Sequence, residues 1–129
     1  FMYVGDSITD IEAFRVVRGA GGLAVSFNGN QYAVREADVA ILSKTALATA
    51  LVAEAFAKIG RGGILELAED WGPEAIPESM CGELSDRLFA SQEKLPQVIR
   101  VTPSNVEQLV RESNAFRKTV RGRAVGSLG

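Results

Sequence analysis

A chain of 129 residues, 47% of them hydrophobic and 23% charged, has the make-up of one folded domain, able to bury about two-thirds of its unfolded surface. A net charge of −2 argues against a dedicated nucleic-acid or anionic-membrane surface, and no apolar run approaches the ~20 residues of a membrane span. The absence of His excludes imidazole metal sites, Ser-His-Asp triads and Cys-His pairs, while the single Cys81 excludes an internal disulfide and fits a reducing, cytoplasmic setting.

Phe1 to Val4 is an apolar run of the right length for a buried strand. It breaks at Gly5 into two carboxylates, Asp6 and Asp10, and helical periodicity then starts with Ile11, Phe14 and Val17. Strand, tight turn, helix is the order that places these carboxylates at the carboxyl end of a strand, where open α/β sheets hold ligands. Two acidic side chains there suit a hard, oxygen-seeking cation. A purely local account has Thr9 as helix N-cap, Glu12 closing a capping box and Asp10 favouring the helix dipole. That account leaves Asp6 unexplained. Gly19 to Gly22 ends the helix, Leu23–Phe27 is a second strand, Asn28-Gly29-Asn30 a turn, residues 31–37 a short helix and Asp38–Leu42 a third strand. Such alternation predicts βαβ units and a parallel sheet, with Asn28 near Asp6 and Asp10.

Ser43 caps a predicted helix from about Thr45 to Ile59, carrying Leu47, Leu51, Ala55 and Ile59 on one stripe. Gly60-Arg61-Gly62-Gly63 reads as its stop, since no Gly-Lys-Ser or Gly-Lys-Thr follows. Residues 66–93 are acidic and broken into short helices by Gly72-Pro73 and Pro77, with Trp71 as a core anchor. Val98–Val101 is a short strand or an extended linker, and Thr102-Pro103 opens a last helix. Its stripe of Val106, Leu109, Val110, Ser113, Phe116 and Val120 must dock on something apolar. Its basic end, with Arg111, Arg117, Lys118, Arg121 and Arg123, is read as cations at a helix carboxyl terminus, or as a cluster facing a phosphate. Residues 122–129 read as a mobile tail.

The segment "VGDSITDIEAF" resembles the fourth motif of the haloacid dehalogenase (HAD) superfamily of phosphohydrolases, Gly-Asp-x-x-x-Asp at the end of a core strand. The continuation "LAVSFNGNQYAVREADVAIL" is similar to the phosphoserine-phosphatase and sugar-phosphatase branches, where a strand runs into an Asn and an Ala-Asp pair follows, here Asn28 and Ala37-Asp38. The wording is also similar to an archaeal branch described as a subunit of energy-converting hydrogenase. The resemblance implies a three-layer, Rossmann-like parallel sheet, partial here, with residues 1–60 as the carboxyl-terminal portion of the core and 61–129 as a mainly helical extension. It implies Mg²⁺ as cofactor, Asp6 as a ligand, Asp10 as a second ligand or an anchor for metal-bound water, and Gly5, Ser7 and Asn28 close to metal or substrate. Many relatives carry Asn where Thr9 stands, so the resemblance does not carry their substrate identity over to this chain.

The same resemblance places the nucleophilic Asp of an Asp-x-Asp motif, and a Ser or Thr and a Lys, upstream of Phe1. No Asp-x-Asp occurs in these 129 residues, and this route to phosphoryl transfer needs a carboxylate to form the phospho-enzyme. The expectation is therefore the carboxyl-terminal part of a phosphatase for a small phosphate ester, with no catalytic nucleophile of its own. It should pair with the amino-terminal half of the same protein or self-associate through an exposed sheet edge. The alternative is a non-catalytic subunit or assembly module that kept the fold and the metal-site carboxylates.

Overall fold

The apolar runs of the first third of the chain fold as strands, which stop at Gly5, before Asn28 and before Ser43. The computed structural model describes residues 1–71, 86–87 and 96–128, with side chains to residue 121. β1 (Met2–Gly5) leads through a 3-10 turn (Ile8–Asp10) into α1 (Ile11–Gly19), followed by β2 (Leu23–Phe27), α2 (Gln31–Glu36) and β3 (Val39–Leu42). Then come α3 (Leu47–Glu69), β4 (Gln97–Arg100) and α4 (Val106–Leu128). The sheet order is β1-β2-β3-β4, with the first three strands parallel and β4 antiparallel to β3. This is an α/β fold with an open mixed sheet, where an all-parallel sheet was expected. The pairs Gly5–Ser26 and Phe27–Ile41 bring the carboxyl ends of β1, β2 and β3 to one side of the molecule.

Helices cover both faces. Leu23, Val25, Val39, Ile41 and Val98 point to one face and meet Ala48, Leu51, Val52, Ala55, Ile64, Leu67 and Ala68 of α3. On the other face Ala24 packs with Phe14, Ala33 and Ala37, and Ala40 and Leu42 pack with Val34 and with Leu109 and Val110 of α4. β2 and β3 are covered on both sides, which is why they read as mainly apolar runs, with only Ser26 polar, rather than alternating ones. Each Leu, Ile or Val so buried contributes about 1.5–3 kcal/mol.

Two further expectations change. β1 is not a buried strand: Tyr3 and Val4 are 36% and 37% exposed, because among the described residues β1 pairs only with β2 and its outer edge is open. The expected break in α3 is present at Gly60. Gly60 alone leaves helical geometry, at φ 71°, and the helix resumes to Glu69. Burial of Ile64, Leu67 and Ala68 against the sheet outweighs the poor helix propensity of Gly62 and Gly63. Beyond residue 60, β4 joins the same sheet and α4 packs on α2. Finally, α4 runs to Leu128 where a tail was expected. Trp71 does anchor the return of the chain, its Nε1–H donating to the Pro96 carbonyl at 2.9 Å. Cys81 and the expected short helices around Pro73 and Pro77 lie outside the described residues. No helix among the described residues is long and apolar enough to cross a membrane.

Candidate functional site

The loop after β1 is folded by Asp10. Its Oδ2 accepts from the backbone N–H groups of Asp6 at 2.8 Å and Ser7 at 3.1 Å, and its Oδ1 accepts from the Tyr3 hydroxyl at 2.9 Å. The carboxylate thus lies over Gly5, where a Cβ would collide with it. Burial pushes the Asp10 carboxyl up, but the two N–H donors and the Tyr3 hydroxyl outweigh it and hold its pKa below the ordinary value. The Tyr3 hydroxyl, hydrogen-bonded to that carboxylate and facing its charge, is pushed up in turn. Ser7, in extended backbone, precedes the first helical turn and Asp10 closes the box on it. The capping pair is therefore Ser7 and Asp10, displaced from the expected Thr9 and Glu12. The Thr9 hydroxyl instead meets the Ser7 hydroxyl at 2.9 Å.

Asn28 ends β2 at φ 49°, a left-handed conformation that Asn tolerates better than most residues. Its side-chain amide bridges to the end of β3, with Nδ2 donating to the Ser43 carbonyl at 2.8 Å and Oδ1 accepting from the Ser43 N–H at 3.0 Å. Asn30, two residues on, caps α2 by accepting from the N–H groups of Tyr32 and Ala33. The Asn-Gly-Asn turn thus fixes the tips of two parallel strands and starts a helix.

Onto these tips α4 lays one ridge. Ser113, fully buried, donates from Oγ to the Gly29 carbonyl at 2.6 Å. One turn later Arg117 places Nη1 at 3.0 Å from three oxygens: the Asp6 carbonyl, Asp6 Oδ2 and the Asn28 carbonyl. Another turn on, Arg121 Nη2 stands 3.8 Å from Asp6 Oδ2. The side chain of Arg117 is only 14% exposed, against 50% for Asp6 and 64% for Arg121.

The structure thus brings Asp6, Asn28, Arg117 and Arg121 together, with Gly5, Ser7 and Asp10 forming the loop that presents Asp6. Arg117 and Arg121 face the strand ends, so the basic end of α4 serves more than the helix dipole. Ser113 sits four residues before Arg117 and eight before Arg121; that spacing was the signal for a polar continuation of the buried stripe. Among the described residues no group of three or more Cys, Asp or Glu side chains gathers to hold a metal ion. The donors that do converge, one carboxylate oxygen and two carbonyls around Arg117 Nη1, are all oxygen and suit a hard cation. Asp10 differs, because both its oxygens already accept from the protein. At the amino end of β3, Asp38 serves a structural purpose: it takes both guanidinium nitrogens of Arg61 at 2.7 Å and the Ala24 N–H at 2.9 Å.

No protein-family model matches the chain. No curated protein matches it either. Among solved structures it is similar to the gene product AF1437 from Archaeoglobus fulgidus, with 31% sequence identity and a TM-score of 0.67 over 94% of this chain. The chain spans 32% of that one, about a third of its length.

Proposed function

We propose that this chain is the carboxyl-terminal part of a cytoplasmic, Mg-dependent phosphohydrolase of the HAD type, acting on a small phosphate ester with a nucleophilic Asp supplied from outside residues 1–129. The observation that carries it is Asp6: a half-exposed carboxylate at the carboxyl end of β1, presented by a loop that Asp10 fastens, beside a strand edge that is open among the described residues. A strand added to that edge in parallel would bring its own carboxyl end beside Asp6. Open edges are templates for such pairing. The similarity of nearly the whole chain to one third of AF1437 supports a sheet completed by other residues of a longer protein.

Asp6 would hold the metal, which when bound offsets negative charge on the phosphoryl oxygens. Asp10 orients the loop through the Asp6 and Ser7 N–H groups, and Asn28 locks the neighbouring strand end at a fixed distance. The second reading, a non-catalytic subunit or assembly module, draws support from Arg117, which already neutralises Asp6. Hydrolysis of p-nitrophenyl phosphate by the intact protein, measured across a magnesium titration, separates the two. Asp6→Asn should lower turnover about a hundredfold or more. Wild-type turnover by that variant at limiting magnesium overturns the metal assignment, and a wild-type protein without phosphatase activity supports the second reading.

A further inference from the structure

Arg117 gives only one of its nitrogens to the fold. Its hydrogen bonds, to the Asp6 carbonyl, Asp6 Oδ2 and the Asn28 carbonyl, all leave from Nη1. A guanidinium has five N–H donors, so those of Nε and Nη2 meet no acceptor among the described residues. Among the described residues the buried side-chain polar atoms without a partner are Ser26 Oγ and Thr49 Oγ1. The Nε and Nη2 donors are therefore not sealed from solvent, although the side chain as a whole is 14% exposed. Nε and Nη2 form the side-on edge of the guanidinium, whose parallel N–H groups fit two oxygens of one oxyanion. The bonds from Nη1 to the tips of β1 and β2 hold that edge in place, and the Ser113–Gly29 bond fixes α4 one turn earlier. Arg121, one turn later and exposed, stands 3.8 Å from the same Asp6 Oδ2, too far for a hydrogen bond. Both guanidiniums thus approach one oxygen, close enough together to share one small anion. Lys44 is exposed directly after Ser43, whose N–H Asn28 holds, and brings a third cation to these strand ends. Against them stand Asp6 and Asp10, and both oxygens of Asp10 are turned to the Asp6 and Ser7 N–H groups and the Tyr3 hydroxyl.

We propose that Arg117 and Arg121 clamp a phosphate dianion at the carboxyl ends of β1 and β2, with Arg117 as the preformed half of the clamp and Arg121 as the exposed half. Arg117 donates from Nε and Nη2 to two phosphate oxygens, and Arg121 donates to the third. A phosphate monoester presents three terminal oxygens and close to two negative charges. That matches two guanidinium groups better than the two oxygens and single charge of a carboxylate do. Asp6 competes with the anion for both cations. The choice of phosphate rests on the reading of a phosphate-ester site, but the clamp needs neither the metal nor the nucleophile of that reading.

The test titrates inorganic phosphate into the intact protein by calorimetry, at constant ionic strength and with a chelator present to remove divalent ions. Acetate is the comparison and should bind about tenfold or more weakly than phosphate. Arg121→Met leaves the fold alone, because the side chain is exposed, and should weaken phosphate about tenfold or more. Arg121→Lys keeps the charge without the fork and should fall between the two. Asp6→Asn removes the competing carboxylate and should tighten phosphate. Phosphate affinity unchanged in both Arg121→Met and Asp6→Asn, or acetate bound as tightly as phosphate, overturns the clamp. Arg121-dependent phosphate binding by a protein that does not hydrolyse p-nitrophenyl phosphate at any magnesium concentration overturns the phosphohydrolase reading and leaves the clamp standing. Magnesium-dependent hydrolysis without Arg121-dependent phosphate binding does the reverse.

Discussion

The carboxylate of Asp10 lies over the α-carbon of Gly5, in the space that a Cβ at position 5 would take. The residue that lets β1 end in a tight loop is thus selected by the side chain that ties the loop together. Gly5→Ala has no backbone conformation to lose and fails only on space. It should evict the Asp10 carboxylate, release the Asp6 and Ser7 N–H groups, and cost about 2 kcal/mol or more. Urea unfolding, with the loop amides followed by hydrogen exchange, measures both effects. A fully stable Gly5→Ala protein with protected Ser7 would show that the loop is held by something else.

Arg61 should matter to stability rather than to the site. It follows the kink at Gly60 and reaches across to Asp38 and the Gly22 carbonyl at the far end of the sheet. Asp38 is nearly buried, and a buried carboxylate that loses its partner is expensive to keep. Arg61→Met should therefore destabilise by about 2–3 kcal/mol at neutral pH. Any metal affinity at Asp6 should not change, if that carboxylate holds a metal. Asp38→Asn in the same background should recover part of the loss, because it removes the orphaned charge.

Glu36 links α1 to α2, accepting from Arg15 at 2.9 Å and Arg18 at 3.0 Å. The hydrogen bond from Arg15, with both guanidinium charges, holds its carboxyl below the ordinary 4.5 despite some burial. A carboxyl depressed in the folded state adds stability above its unfolded value and loses it as pH falls through the folded value. Wild type should accordingly exceed Glu36→Gln by about 0.5–1 kcal/mol at pH 7. The gap should close as pH is taken below 4.5. A gap that persists in strong acid would assign the stabilisation to packing.

The local elements were legible because each carries its own punctuation. β2 ends at an Asn, α2 begins at another, and the apolar runs of β2 and β3 match their burial on two sides. What the sequence hid was long-range. Nothing near Val98 says that its strand runs antiparallel beside β3, since short apolar runs carry no direction. The glycines at 60–63 marked a real helix break, at Gly60, but not the second helical stretch to Glu69, which rests on the distant contacts of Ile64 and Leu67. The site was half visible. Asp6 stood out as a charge directly after an apolar strand, but its partner Arg117 lies 111 positions away. Only the pairing of β4 and the docking of α4 bring the two together.

Asp6 and Asp10 should therefore fail in different ways. Asp10 accepts two backbone N–H groups and a tyrosine hydroxyl, so its charge is spent on the loop. Among the described residues the Asp6 carboxylate accepts from Arg117, with Arg121 nearby, and is half exposed. Asp10→Ala should lower stability by about 1–2 kcal/mol, as loss of a helix cap does. Any hydrolysis lost with it should not return at high magnesium, because the defect is in loop shape. Asp6→Ala should lower stability less, since its pairs are partly solvated and worth about 0–1 kcal/mol each. If Asp6 holds the metal, the activity lost in a conservative Asp6→Glu should in contrast return in part as magnesium is raised. Thermal unfolding and steady-state hydrolysis of p-nitrophenyl phosphate by the intact protein, run side by side across a magnesium series, would separate the two roles. If high magnesium restores Asp10→Ala, then Asp10 also acts on the metal and the division of labour between the two carboxylates is wrong.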